Sequence, residues 1–121
     1  MNYSIKVVHT FPRHPPHDHG RGGRPFVPDD VKKWRASIVR ALEKAGVPKN
    51  LKEYRVFVDY QYVTANKKTA DTDSLTHAAQ DAISKDYGKT DDKDWGGSYR
   101  KYLDPCRKDT FYAAIQVRHR D

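Results

Sequence analysis

The chain has 121 residues, enough for one domain with a modest core and too few for two. Lys and Arg number 23 against 16 Asp and Glu, so the net charge is +7, and a small domain this basic is expected to meet a polyanion, nucleic acid first. The single cysteine, Cys106, excludes an internal disulfide, and no apolar run approaches membrane-spanning length.

The opening residues 3–9 alternate well enough for a strand, and they do not read as a secretory leader. A cytoplasmic location is therefore expected. Residues 10–25 carry four prolines, three glycines and three arginines, which predicts a long loop or irregular hairpin. Pro28, Asp29 and Asp30 supply a helix start. Val31, Trp34, Ile38, Leu42 and Ala45 then recur at helical spacing. Gly46 is a natural C-terminal stop, and Pro48 blocks continuation, so the helix is expected over 29–45.

Residues 53–63 form the plainest strand signal. Tyr54, Val56, Val58, Tyr60 and Tyr62 fall on one face and the intervening residues on the other. The tyrosines read as a buried face packed on a helix, as part of a dimer interface, or as a stacking platform, the first two being favoured. A basic loop with Lys67 and Lys68 follows. A second helix is expected over 73–85, with Leu75, Ala78, Ala79, Ala82 and Ile83 as its buried stripe and Gly88 ending the segment. Residues 89–97 read as turns, and two strands near 98–103 and 110–118 close the chain. The expected fold class is α+β: one mixed or antiparallel sheet of about four strands with both helices on one face.

Two aspartates, Asp71 and Asp73, stand at the junction of loop and second helix, and Asp91 and Asp92 follow that helix. One of the first pair is explained as a helix N-cap, but a cap does not require both. If Asp92 folds back toward Asp71 and Asp73, three carboxylates converge and need a cation between them. Such hard oxygen donors suit Mg²⁺, with Mn²⁺ as substitute. The histidines His9, His14, His17 and His19 offer a zinc alternative. The segment lacks cysteine partners, and a DNA-contacting loop is the stronger reading.

The segment Asp71-Thr72-Asp73-Ser74-Leu75-Thr76-His77-Ala78, with Asp91-Asp92 beyond the helix, resembles the D-x-D-N-L-x-K-A and later D-D of RusA-type Holliday junction resolvases. The opening strand, the proline-rich loop, the run from Arg21 to Arg24 leading into a helix, and the late strand pair extend the resemblance over most of the chain. It implies a homodimeric, Mg²⁺-dependent endonuclease that cuts four-way DNA junctions at symmetric positions. Asp71, Asp73 and Asp92 are then the metal-binding and catalytic acids. Ser74 stands where the family has Asn, and His77 where it has a functional Lys. Position 77 is one turn from Asp73, so His77 is expected to face the same site as a cation or proton carrier, the plainer reading being a polar helix residue. Arg13, Arg21, Arg24, Lys67, Lys68 and Lys89 are the expected DNA contacts. Phe11 or Phe26 reads as a junction wedge or as core. Lys93, Arg100, Lys101, Arg107, Lys108, Arg118 and Arg120 extend the basic surface. The competing readings are a non-enzymatic DNA- or RNA-binding module and a junction binder that no longer cuts.

Overall fold

A computed structural model describes residues 2–10, 28–64, 73–88, 95–104 and 108–120. The elements run β1 (Tyr3–Thr10), α1 (Pro28–Ala45), β2 (Tyr54–Thr64), α2 (Asp73–Asp81) continuing as a π-helical turn (Ala82–Tyr87), β3 (Gly96–Leu103) and β4 (Thr110–His119). The four strands form one mixed sheet in the order β1-β4-β2-β3. β4 is antiparallel to both β1 and β2, whereas β3 runs parallel to β2. A parallel neighbour needs a crossover, and α2 with its π turn supplies it. The expected α+β class with a mixed sheet is what the chain adopts.

The strand alternation decides where the core lies. Val56, Val58, Tyr60 and Tyr62 of β2 pair in register with Val117, Ile115, Ala113 and Phe111 of β4, and all eight are buried. Trp34, Ile38 and Leu42 from α1, Leu75 and Ala79 from α2, and Ala82 and Ile83 from the π turn join the same cluster. Both helices therefore cover one face of the sheet. Tyr60 and Tyr62 are core, which closes the platform reading for them, and Tyr54 packs half-buried at the core's edge.

Gly46 ends α1 with φ +75°, a conformation that costs glycine nothing. Its N–H bonds the Glu43 carbonyl at 3.1 Å, and the Val47 N–H bonds the Leu42 carbonyl at 3.2 Å. This paired closure satisfies the last carbonyls of the helix and buries Val47.

The second helix departs from expectation. Its α-helical part stops at Asp81, and a wider π turn carries the chain to Tyr87, closed by Gly88 N–H to the Ile83 carbonyl at 3.1 Å. Two long-range ties hold that turn. The Tyr87 hydroxyl donates to the Val47 carbonyl. Arg35 of α1 grips Asp86 through two guanidinium nitrogens, the Nη2 bond being 2.7 Å. That hydrogen bond holds the Asp86 carboxyl below the ordinary carboxylate range. Gly88 is required by space, because a Cβ there would lie 2.6 Å from the Lys49 carbonyl oxygen. β3 also begins earlier than expected, at Gly96, so two residues of the predicted turn are strand. No described helix is long and apolar enough to cross a membrane.

Trp34 is the keystone of the helix layer. It is fully buried, meets Phe111 edge-on at 5.3 Å, and donates its indole N–H to the Leu75 carbonyl at 2.9 Å. Trp34→Phe removes that donor and part of the packing volume. The expected cost is about 2 kcal/mol, read as a lower urea midpoint at unchanged slope. An unaltered midpoint would show that the indole bond anchors nothing.

Candidate functional site

One end of the sheet collects the polar groups. The C-terminal ends of β1, β2 and β3 and the start of β4 lie together there, because Thr10, Thr110 and Val63 pair in register and Thr64 pairs with Leu103. The first turn of α2 is tied to the core near this end. The Leu75 carbonyl takes the Trp34 indole bond, and the Thr76 carbonyl accepts from the Tyr60 hydroxyl at 3.4 Å. Asp73 is the first residue of α2, two positions before Leu75. His77, one turn further along, is exposed.

Asp71, Asp92, Lys67, Lys68 and Lys89 lie outside the described residues, as do Arg13, Arg21 and Arg24 with the rest of 11–27 and the side chain of Asp73. Of the expected site, the structure thus fixes the backbone of Asp73 and the helical position of His77. Among the described residues, no three His, Cys, Asp or Glu side chains converge on a metal-sized centre. Of the zinc alternative, His14, His17 and His19 also fall outside them, and His9 alone is described.

Two polar arrangements at this end had no clear sequence signal. In the first, Asp109 is 1% exposed, and its carboxylate accepts from the Tyr62 hydroxyl at 2.5 Å and from the Thr64 hydroxyl at 2.7 Å. A buried carboxylate is costly unless both oxygens are bonded, and here both are. It locks the start of β4 to the end of β2, from which the chain leaves toward Asp71. Burial first, and then the bond to Asp109, pushes the Tyr62 phenol well up, and burial does the same to Tyr60. Neither phenol is therefore a base near neutral pH.

The second joins β1 to α1. His9 lies on the helix face of β1, its ring 6.3 Å from that of Trp34, with Nε2 4.0 Å from the Asp30 carboxylate. Asp30 stands in the first turn of α1, where the helix dipole favours an anion. His9, Asp30, Trp34 and Leu75 thus form a chain of neighbours leading from the sheet to the turn that follows Asp73.

Of the remaining expected cations, Lys93 and Arg107 lie outside the described residues, and the others divide between faces. Arg100 and Arg118 point away from the helices, Lys101 falls on the helix side of the exposed strand β3, and Lys108 and Arg120 are exposed at strand ends. No family model matches the chain, and no curated protein matches it.

Burial holds the His9 imidazole below its ordinary value of 6.5, opposed by Asp30 and assisted by Lys33. Above 6.5 both folded and unfolded chains hold it neutral, and its contribution to stability is complete. As pH falls below 6.5 the unfolded chain takes up the proton first, so stability drains away until the folded value is passed. His9→Gln is expected to lack that part of the slope when urea midpoints are compared between about pH 7 and 5. Parallel curves for the two proteins would show that His9 does not titrate differently on folding.

Proposed function

We propose that this chain is a metal-dependent DNA endonuclease of the RusA type, which resolves four-way junctions by paired symmetric cuts. The observation that supports the reading is the seating of the backbone of Asp73. Asp73 opens a helix whose first turn is bonded to two buried aromatic side chains from α1 and β2. A metal ligand on such a rigid start is held more closely than one on a free loop.

Asp71, Asp73 and Asp92 form an all-oxygen donor set, which fits Mg²⁺ or Mn²⁺ and not a thiolate-seeking metal. Bound there, the ion would polarise a phosphoryl oxygen and make the attacking water more acidic. The chain's own residues do the rest. The carboxylates orient and neutralise the ion. His77, exposed one turn beyond Asp73, faces the substrate as the cation or proton carrier that replaces the family's lysine. Lys67, Lys68 and Lys89, with Arg13, Arg21 and Arg24, hold DNA phosphates. A homodimer supplies two matched sites for the two matched cuts of a two-fold junction. The net charge of +7 favours the approach of such a substrate.

The test is cleavage of a labelled synthetic four-way junction beside linear duplex and single strand, with Mg²⁺ or with EDTA. Paired nicks in the junction, only with Mg²⁺, are the expected result. Asp73→Asn is expected to lower the rate about 1,000-fold while junction binding in EDTA persists. His77→Ala is expected to slow cutting about 100-fold, and His77→Lys to restore it. Tight, selective junction binding without nicks would make the chain a binder. Indifference to branching would move it to general nucleic-acid binding.

A further inference from the structure

The helices cover one face of the sheet, and the opposite face carries a second pattern. Its residues have the other strand parity: Lys6 and Val8 of β1, Tyr112 and Arg118 of β4, Arg55 and Phe57 of β2, Arg100 and Tyr102 of β3. Val63 and Thr110 near one end are buried, whereas the other positions of this parity are half-exposed or exposed. Register sets them in rows, among them Val8–Tyr112–Gln61–Arg100 and Ser4–Gln116–Phe57–Gly96.

Rings and cations alternate across this surface. The Lys6 ammonium lies 5.4 Å from the centre of the Tyr112 ring, and the Arg118 guanidinium 5.6 Å from that of Phe57. Phe57 leans over Gly96, where a Cβ would come within 2.9 Å of the ring. Tyr102 is 43% exposed. Against the four cations Lys6, Arg55, Arg100 and Arg118, the described strands set one carboxylate on this face, Asp59. It accepts a hydrogen bond from Ser98 at 2.9 Å.

One pairing sets like charges on facing positions. Arg55 and Arg118 are directly opposite in register on neighbouring strands, and like charges so placed repel. Arg118 also borders a shallow depression of about 420 Å³ lined by Asn2, Ser4 and Gln116. An anion seated beside this pair turns the repulsion into attraction.

We propose that this open face binds single-stranded nucleic acid, with bases stacked on Phe57, Tyr112 and Tyr102 and phosphates held by Arg55, Arg100 and Arg118. A flat sheet presenting rings between cations suits unstacked bases, whose π faces a duplex hides. A second copy of the chain is a poor occupant, because two faces with the same excess of positive charge would meet. The surface lies across the sheet from α2.

The experiment is fluorescence anisotropy with a labelled oligothymidylate of about 20 nucleotides, in EDTA so that no cutting intervenes. The wild-type chain is expected to bind with a steep salt dependence. Phe57→Ala with Tyr112→Ala is expected to weaken binding about 10-fold or more. Arg100→Glu and Arg118→Glu, at exposed positions that the fold tolerates, are expected to weaken it and to flatten the salt slope. Wild-type affinity in the arginine variants, or absence of binding by the unaltered chain at low salt, would overturn the proposal. So would loss of self-association in sedimentation with oligonucleotide binding intact, since the face would then be a contact between copies. Because the probe is read without metal, failure of the nuclease reading leaves this result untouched.

Discussion

The arrangement depends on one buried hydrogen bond, from the Trp34 indole to the Leu75 carbonyl. A nine-residue helix such as α2 has little stability of its own, so its position is set by what it packs against. The indole bond fixes the height of its first turn, and Ala78 and Ala79, with Ala82 of the π turn, let the segment approach closely along its length. Phe111 meets the same indole edge-on from β4, tying both helices to the centre of the sheet. Moving Trp34 would therefore move the start of α2, and with it the backbone of Asp73.

The sheet separates two chemistries. On the helix side, α2 begins at Asp73 and the end of the sheet holds Asp109 and His9. On the other side, arginines and rings stand in rows, with one carboxylate among the described strand residues. The strand period of two makes this separation possible within one thin layer, because neighbouring residues such as Val56 and Phe57 serve opposite faces.

Much of this was legible in the sequence where local chemistry and burial agree. α1 and β2 begin and end within a residue of expectation because Pro28, Gly46 and the alternating tyrosines mark them, and the favoured burial of Tyr60 and Tyr62 holds. The π turn was not legible. It depends on Tyr87 reaching the Val47 carbonyl and on Arg35 gripping Asp86, contacts 40 and 51 residues apart. β3 gave a weak signal because all eight of its residues are exposed, and its Gly-Gly start, read as a turn, is needed where a Cβ on Gly97 would collide with the Val58 carbonyl. Asp109 lay hidden between Lys108 and Thr110 as an ordinary loop acid, and only the distant Tyr62 and Thr64 make it a buried tie. The acidic motif itself was legible as a pattern of spacing. Of that pattern the described residues fix the helical positions of Asp73 and His77.

Direct metal binding tests the proposed carboxylate centre more closely than any rate. Manganese titration followed by electron paramagnetic resonance would be run on the unaltered chain and on Asp71→Asn, Asp73→Asn and Asp92→Asn. The expected result is that the unaltered chain removes free Mn²⁺ from the spectrum and that each single substitution weakens this uptake by at least about 10-fold, since each removes a ligand of the same ion. Uptake left unchanged by any one of the three would contradict a centre built from all of them.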